Sequence, residues 1–310
     1  MNLQQLEYIV AVDKHRNFGR AAASKFVTQP TLSAMIQKLE DELAIQIFNR
    51  KKFPVEPTTE GVRIVEHAKL VLQQAAQLLT YAKEVKGEIA GDLRLGIIPT
   101  LAPYLLPLFL KPFAEQYPLL QIFIKEMVTE DIMAQLKSGE LDMGLLVTPL
   151  DDNMLKEYPL FYEEFYAYAA KSEKLGNKKY ILPKDINIDH LWLLEEGHCF
   201  RNQIFNLCEL KKEQVTSNNL HYEAGSIETL INLVDRHEGI TIIPHFATLN
   251  LNAEQKKNIR AFAEQPVREI SLVVNHTYPR EKLLKQVQEA IKKALPFDES
   301  SKSSNIIHIN

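Results

Sequence analysis

The sequence predicts an α/β protein whose N-terminal part is all helical, and three observations lead to this fold class. The first sixty residues contain short helical patterns separated by tight turns. One long helical pattern with a regular apolar spacing follows them. Beyond it, apolar strand patterns alternate with helical ones, which predicts a mostly parallel sheet. With 310 residues, of which 45% are hydrophobic, the chain is long enough for two or three globular units.

The N-terminal residues have the pattern of a winged helix-turn-helix. Apolar spacing predicts a helix over 17–26 and another over 29–40, with a break at Val27 and Thr28. In this motif the second helix enters the major groove of DNA. Although each feature alone also fits an ordinary solvated hairpin, this helix begins with small or amide side chains, and a basic loop after it suits a wing that contacts phosphates. The predicted DNA-contacting residues are Gln29, Pro30, Thr31, Ser33, Ala34, Lys38, Arg50, Lys51 and Lys52.

A single long helix is predicted from Thr58 to about Lys86. Thr58 or Thr59 can cap its N-terminus, and Glu60 places a favourable negative charge in its first turn. Apolar residues alternate along it at spacings of four and three, as in the seam of a coiled coil. This pattern favours pairing with a second copy of the chain over packing on the helix's own domain. The seam residues are Ile64, Ala68, Val71, Ala75, Leu78, Ala82 and Val85.

Strand and helix patterns alternate through the rest of the chain. The predicted strands are 93–98, 120–124, 143–147, 240–243 and 270–274, and the predicted helices are 101–117, 131–138, 226–236 and 282–294. The strand Met143–Val147 is apolar throughout, as in strands buried on both faces. The predicted organisation is a winged helix-turn-helix at 1–58, a dimerising linker helix at 59–88, a lobe I at 92–163 with 270–297, a lobe II at 164–269, and a flexible Ser-rich tail at 298–310.

Composition and charge exclude several classes of protein. The net charge is only -4, so nucleic acid would have to be bound by a local basic surface. The N-terminus lacks a signal-peptide pattern, and no apolar run reaches the roughly 18–20 residues of a membrane span, so we expect a cytoplasmic protein that contacts no membrane. The cysteines and histidines lack zinc-site spacing, and neither a phosphate loop nor a nucleophile triad is recognisable. We therefore expect no metal, no cofactor and no enzymatic activity.

Both cysteines of the chain lie in one short segment. Apolar residues recur at helical spacing after Cys199, which would place Cys199 at a helix N-terminus beside His198 and Arg201, where positive charge lowers a thiol pKa. Cys208 would be buried on the apolar face of that helix. A helix would separate the cysteines by roughly 13 Å, whereas a disulfide needs Cα atoms about 4.4–6.8 Å apart. Oxidation would then require the segment to unwind; alternatively, both cysteines are ordinary small residues of a core.

Over nearly its whole length the chain resembles LysR-type transcriptional regulators. The residues that carry this resemblance are Ala21-Ala22, Gln29 to Ser33, Ile36, Leu39-Glu40, Leu43, Gly139 to Asp142 and Gly239 to Pro244. Within that family the chain is similar to the OxyR-type peroxide sensors, at Ile98 to Thr100, Tyr104 to Pro107, Gly197-His198-Cys199, Arg201, Gln203 and Cys208. It departs from the family pattern at Asn202, where the family has an acidic residue, and at Met35, where glutamine is frequent.

The resemblance implies both an architecture and a function. The architecture is a winged helix-turn-helix, a linker helix, and a two-lobed regulatory domain like periplasmic binding proteins. The function is activation of oxidative-stress genes by a dimer or tetramer that binds double-stranded promoter DNA, with RNA polymerase as a possible further partner. Hydrogen peroxide would act through a Cys199 sulfenic acid and a Cys199–Cys208 disulfide. The supporting residues implied are Thr100, Thr129, His198, Arg201 and Arg268.

Two alternatives remain open from the sequence. A LysR-type regulator could instead sense a small metabolite between its lobes, with the cysteines incidental. A thiol peroxidase or Cys-His hydrolase could use Cys199 as a nucleophile, which the helix-turn-helix pattern argues against.

Overall fold

The computed structural model of the protein describes residues 1–85, 89–173, 175, 178, 180–195, 199–208, 224–296 and 306–307. The chain forms two compact units, at residues 1–88 and 89–310. None of the helices in these described ranges is long and apolar enough to cross a membrane.

The N-terminal unit is a helix-turn-helix with a small wing, as predicted. Its elements are α1 (Leu3–His15), α2 (Phe18–Ser24), α3 (Gln29–Leu43), β1 (Phe48–Asn49), β2 (Glu56–Pro57) and the long α4 (Thr59–Val85). Polar side chains explain where the first three helices begin, because Asn2, Asn17 and Thr28 each accept a hydrogen bond from a backbone N–H three residues later. Thr58 caps α4 in the same way, accepting from the Gly61 N–H at 2.9 Å. Strands β1 and β2 pair antiparallel and form the wing.

The C-terminal unit is an α/β domain built on one curled, mixed sheet. Its strands are β3 (Gly91–Ile97), β4 (Leu120–Glu126), β5 (Met143–Thr148), β6 (Leu155–Ala169), β7 (Tyr180–Ile181), β8 (Ile240–Pro244), β9 (Ile259–Phe262) and β10 (Val267–Asn275). Its helices are α5 (Ala102–Gln116), α6 (Thr129–Ser138), α7 (Cys199–Leu207), α8 (Ile227–His237), α9 (His245–Leu249), α10 (Ala253–Lys256) and α11 (Glu281–Ala294).

The prediction of a mostly parallel sheet is wrong. The strand order is β4-β3-β5-β10-β6-β9-β7, and β8 also pairs with β6. Strand β3 runs parallel to β4 and β5, but β10 runs antiparallel to both β5 and β6. The error arises because β10, the last strand of the chain, inserts between two earlier strands, and the order of elements along a sequence does not show such an insertion.

Two long strands hold the domain together and bring the site residues close. Strand β6 pairs with β10 through its first part and with β8 and β9 through its last part, so it belongs to both ends of the sheet. The predicted lobe boundary at residues 163 and 164 falls inside β6, and the one at 269 and 270 falls inside β10. Both predicted boundaries thus cut strands that run on continuously. The division into lobes I and II stays a prediction.

The predicted flexible tail differs from the structure at two residues. Ile306 forms a parallel β-bridge with Val267 at the start of β10, and the Ile307 N–H donates to the Val267 carbonyl at 2.9 Å. Ile307 is buried in the core of the C-terminal unit. The Ser-rich composition of the tail concealed this short apolar pair near its end. The other residues of the tail lie outside the described ranges.

Candidate redox site and DNA-binding surface

The two cysteines bracket one helix. Cys199 is the first residue of α7, and Cys208 directly follows its last residue, with its N–H donating to the Ile204 carbonyl at 3.0 Å. Both cysteines are free thiols, so the structure represents the reduced protein. Nine helical steps separate them by roughly 13 Å along the axis, which is too far for a disulfide while the helix is intact.

The Cys199 thiol is buried among polar groups from two other elements. Thr129, the first residue of α6, places its buried hydroxyl close enough to act on the thiol. That hydroxyl has no hydrogen-bond partner of good geometry within the described residues. Burial raises the pKa of the Cys199 thiol, and the Thr129 hydroxyl and the Arg268 guanidinium lower that pKa by less. The resting group at neutral pH is therefore a protonated thiol.

Arg268 on β10 is the cation of the site, and it is fully buried. Its Nε donates to Glu163 Oε2 at 2.9 Å, and its Nη1 donates to the Thr100 hydroxyl at 3.0 Å. A third hydrogen bond runs from Nη2 to the Thr100 carbonyl at 3.3 Å. Glu163 is equally buried on β6, and its second oxygen accepts from the Phe246 N–H at 2.9 Å. A buried charge pair of this kind is tolerable because both partners are hydrogen-bonded.

Aromatic packing connects this charge pair to the redox helix. The Arg268 guanidinium lies 5.2 Å from the Phe200 ring centroid and 5.9 Å from that of Phe165. The two rings meet edge to face at 5.2 Å. Phe200 is the residue after Cys199, so the start of α7 packs directly on the cation. Movement of α7 would therefore disturb the environment of Arg268.

The predicted neighbours of Cys199 are only partly those found. The Arg201 guanidinium binds other groups: its Nη1 donates to the Leu194 carbonyl at 2.8 Å, and the guanidinium lies 5.5 Å from the Phe205 ring centroid. The expectation that adjacent cations hold the pKa of Cys199 low is wrong, because burial outweighs the favourable charge, which comes from Arg268. His198 lies outside the described residues, so its predicted role stays a prediction.

Cys208 is half-buried against the core, and burial raises its pKa to about 12. It too is a protonated thiol in this conformation. To attack an oxidised Cys199 it would have to leave this apolar contact, which requires α7 to unwind.

The predicted DNA-reading residues lie on an accessible face of α3. Gln29, Pro30, Thr31, Ala34 and Lys38 are exposed in the single chain, and Ser33 is half-buried. Met35 instead packs partly against the core of the N-terminal unit, and its carbonyl accepts from the Gln5 side chain at 3.3 Å. Met35 therefore contributes to packing within this unit, and its effect on base preference stays a prediction.

Arg50 and Ser33, predicted to contact phosphate and bases respectively, bind each other. Arg50 Nη1 donates to Ser33 Oγ at 3.2 Å, and Nη2 donates to Glu40 Oε2 at 2.7 Å. Glu40 is buried, and its other oxygen accepts from the N–H groups of Ile47 and Phe48 at 2.7 and 3.2 Å. Arg50 therefore fastens the wing to α3. Lys51 and Lys52 are exposed beside it, and Lys52 pairs with Glu56 at 2.8 Å.

The seam residues of α4 fall into two groups. Ile64 and Ala68 pack on the core of their own unit. Val71 and Leu78 are 43% and 68% exposed in the single chain, Ala75 is half-buried and Ala82 is exposed. The side chain of Val85 is not described. The outer half of the helix thus presents apolar residues that a second copy would cover, and this pairing stays a prediction.

Several residues of the site have no role predicted from the sequence, although Gln203 is among those that carry the resemblance. Glu163 and Gln203 are buried polar residues whose role becomes visible only once β6 and α7 are placed in the fold. Phe26, in the turn between α2 and α3, and Phe53, in the wing, are 96% and 84% exposed. In the sequence, Phe26 lies at the end of the helix predicted over 17–26 and Phe53 lies next to the basic residues of the predicted wing, and neither residue has a predicted role. Within the described residues, no cluster of three or more His, Cys, Asp or Glu side chains could hold a metal ion.

Comparison with known proteins places this geometry in context. Residues 3–62 match the bacterial regulatory helix-turn-helix proteins of the LysR family, and residues 86–296 match the LysR substrate binding domain. The hydrogen peroxide-inducible genes activator of Haemophilus influenzae is 34% identical over 292 residues, which cover 94% of this chain and 96% of that protein.

Two solved structures are similar over most of the chain. Full-length OxyR from Pseudomonas aeruginosa, carrying a cysteine-to-aspartate substitution, has a TM-score of 0.74 and 32% identity, and the match covers 94% of this chain and 98% of that one. A cysteine mutant of OxyR from Corynebacterium glutamicum with hydrogen peroxide bound has a TM-score of 0.61 and 29% identity, covering 94% of this chain and 92% of that one.

Proposed function

Because the chain belongs to the LysR family of bacterial transcriptional regulators, we propose that it binds operator DNA and is switched by hydrogen peroxide through Cys199. The observation that carries the proposal is the placement of the thiol. Cys199 begins α7 beside the Thr129 hydroxyl and Arg268, and the second cysteine of the chain directly follows the end of the same helix. The similar proteins named for hydrogen peroxide support the same reading.

The proposed chemistry uses groups that surround the thiol. The Cys199 thiol loses its proton, its sulfur attacks one oxygen of hydrogen peroxide, an S–O bond forms and the O–O bond breaks; the second oxygen takes up that proton and leaves as water. Negative charge develops on that departing oxygen. The Thr129 hydroxyl, which has no other well-placed partner within the described residues, and the Arg268 guanidinium can stabilise this charge. Thr100 contributes by holding the guanidinium in place.

The buried thiol also explains a selective response. A protonated and enclosed thiol reacts slowly with bulky or charged reagents, because the thiolate is the nucleophile and access is restricted. Hydrogen peroxide is small and uncharged, so burial of the thiol restricts its access least. The sulfenic acid of Cys199 then reacts with the Cys208 thiol, releasing water and forming the disulfide.

The disulfide would act as a conformational switch. The two cysteines cannot meet while α7 is intact, so oxidation selects a second folded arrangement of this segment. Phe200 and Arg268 are packed together, and the change would pass from α7 to the sheet through this contact. In an assembly of two or four chains, the regulatory units would then present their DNA-binding helices at a different spacing.

The DNA-bound form is proposed to be a cytoplasmic dimer or tetramer. Exposed residues of α3 would read base edges, whereas Lys51 and Lys52 would contact phosphates without sequence preference. The exposed apolar residues of α4 would pair two copies. An activating role would bring RNA polymerase to the complex as a further partner.

The test compares the rate of Cys199 oxidation with that of free cysteine at the same pH. The expected result is a rate well above that of free cysteine, abolished by Cys199→Ser. Cys208→Ser should leave Cys199 oxidisable but unresolved, and therefore exposed to sulfinic acid formation. If Cys199 reacts no faster than free cysteine, the peroxide proposal fails and a regulator that responds to a small metabolite takes its place.

DNA binding gives an independent readout. Footprints of the reduced and peroxide-treated protein on its operator should differ in length or position, and the difference should be absent in the Cys199→Ser variant. Identical footprints before and after oxidation would contradict a switch that acts through the spacing of DNA-binding helices.

A further inference from the structure

The C-terminal residues Ile306 and Ile307 return to the sheet beside the redox site. Ile306 bridges Val267, and the Ile307 N–H donates to the Val267 carbonyl at 2.9 Å. Ile307 is only 8% exposed and belongs to the core of the C-terminal unit. These two residues, called the C-terminal strap below, are therefore held by both backbone pairing and apolar packing.

The same strap is bound by the redox helix. The Nε2 of Gln203 donates to the Ile307 carbonyl at 3.0 Å. Gln203 is fully buried and lies on α7 between the two cysteines. Its Oε1 has no hydrogen-bond partner among the residues described, so the bond to Ile307 satisfies the donor group of this buried amide and not its oxygen. Leaving a buried donor unsatisfied costs more than an average hydrogen bond contributes.

The strap also contacts the strand that carries the cation of the site. Val267, its pairing partner, immediately precedes Arg268. Arg268 in turn packs on Phe200 at the start of α7. The strap thus joins β10 to α7 at a point between the reacting cysteine and the resolving one.

We propose that the C-terminal strap, acting through Gln203, is a positioning element that holds α7 in its reduced conformation and sets how readily the disulfide closes; this rests on the proposed function. Forming the disulfide brings together two residues roughly 13 Å apart along the helix. Gln203 lies between them and cannot keep its position, so its bond to Ile307 breaks. A contact made only in the reduced state opposes oxidation by the free energy of that contact.

The strap acts on the second chemical step and not on the first. In the first step peroxide oxidises the Cys199 thiol to sulfenic acid and is reduced to water. In the second, the Cys208 sulfur attacks the Cys199 sulfur, the S–O bond breaks, and the oxygen leaves as water. Among the described residues, the groups that act on the Cys199 thiol are Thr129, Arg268, Glu130 and the Phe200 N–H, and neither Gln203 nor Ile307 is one of them. The second step, in contrast, requires α7 to unwind.

The first test compares chains that end at His308 and at Asn305. Both chains lack the last two residues of the protein. Only the chain that ends at His308 retains the strap, and in it the Ile307 carbonyl is still part of a peptide bond. Equilibrated in glutathione buffers, the chain ending at Asn305 should form the Cys199–Cys208 disulfide with an equilibrium constant about tenfold larger, which corresponds to a reduction potential about 30 mV more negative. Equal equilibrium constants for disulfide formation in the two chains would overturn the proposed role of the strap, whatever the rate at which the chains react with peroxide.

A point substitution in the full chain separates positioning from general stability. Ile307→Ala keeps the backbone of the strap and removes its apolar anchor, and Ile186→Ala removes a comparably buried isoleucine, 6% exposed, from the same core. Both should lower the free energy of unfolding, but only Ile307→Ala should accelerate closure of the disulfide after sulfenic acid has formed. Equal acceleration by both variants, or by neither, would contradict the proposal.

The peroxide step distinguishes failure of the strap from failure of the proposed function. Trapping of the sulfenic acid in a Cys208→Ser background should proceed within about twofold of the same rate with and without the strap, because the groups around Cys199 are unchanged. Suppose that Cys199 is oxidised slowly in both chains, but that loss of the strap shifts the disulfide equilibrium in glutathione buffers. This result would refute peroxide sensing and support the proposed role of the strap. A large change in sulfenic acid formation on removal of the strap would refute its restriction to the second step.

Discussion

Replacing Arg268 by methionine removes the cation from a fully buried pair and leaves Glu163 without its counter-charge. Among the described residues, the Phe246 N–H is then the remaining hydrogen-bond donor to the Glu163 carboxylate. Breaking a buried ion pair by deleting one partner costs about 3–5 kcal/mol. For a unit of this size that corresponds to a fall in melting temperature of roughly 6–20 °C, at about 2–4 °C per kcal/mol.

A second substitution separates stability from chemistry. In the double variant Arg268→Met with Glu163→Leu, both charges of this pair are removed, and apolar replacement of a buried pair is often neutral. The Phe246 N–H loses its acceptor, which costs about 1–3 kcal/mol. The double variant should therefore be more stable than Arg268→Met alone. Both variants should nevertheless oxidise slowly, because Arg268 lowers the pKa of the Cys199 thiol in the native protein and neither variant has that charge.

The assay follows urea unfolding by the fluorescence of Trp192, the one tryptophan of the chain, which lies in the C-terminal unit. Oxidation is followed in parallel by trapping sulfenic acid at Cys199. Recovery of stability without recovery of rate would support the assignment of Arg268 to the reaction. A double variant that oxidises as fast as the unsubstituted protein would refute it.

Three further outcomes follow from the structure. Arg50→Ala should lower the stability of the N-terminal unit by about 1–3 kcal/mol, because buried Glu40 loses its charged donor. Lys51→Ala should mainly reduce the salt dependence of DNA binding. Equal melting temperatures for the two variants would contradict this difference. Val71→Asp should shift the protein towards monomer in sedimentation and weaken operator binding, since two like charges would meet in an apolar seam; an unchanged sedimentation coefficient would count against the seam. The oxidation rate of Cys199 should rise about tenfold per pH unit from pH 6 to 8, because its pKa lies above the ordinary value near 8.5; a plateau below pH 7 would show a low-pKa thiolate instead.

The elements of the fold were largely predictable because their signals are local. Side-chain caps at Asn17 and Thr28 and the apolar spacing of α3 and α4 are written in neighbouring residues. The strand pairing was not predictable in the same way. The insertion of β10 between β5 and β6 depends on contacts between residues more than a hundred positions apart.

The redox site, too, was predictable from the sequence only in part. Cys199 and Cys208 stand out in the sequence because they are the two cysteines of the chain. The electrostatics of the site could not be inferred from sequence neighbours, because Arg201 turns to a backbone carbonyl while Arg268 supplies the charge from a distant strand. Burial, which raises the pKa of the Cys199 thiol, is a property of the whole fold.

The central claim is that peroxide links the two cysteines across an unwound α7. The most direct measurement is the mass of the intact reduced protein after treatment with one equivalent of hydrogen peroxide, followed by peptide mapping without reduction. The claim predicts a loss of about 2 Da, from removal of two hydrogens, and a peptide pair joined through Cys199 and Cys208. An unchanged mass, or a lasting gain of about 16 Da at Cys199 with Cys208 still free, would contradict it.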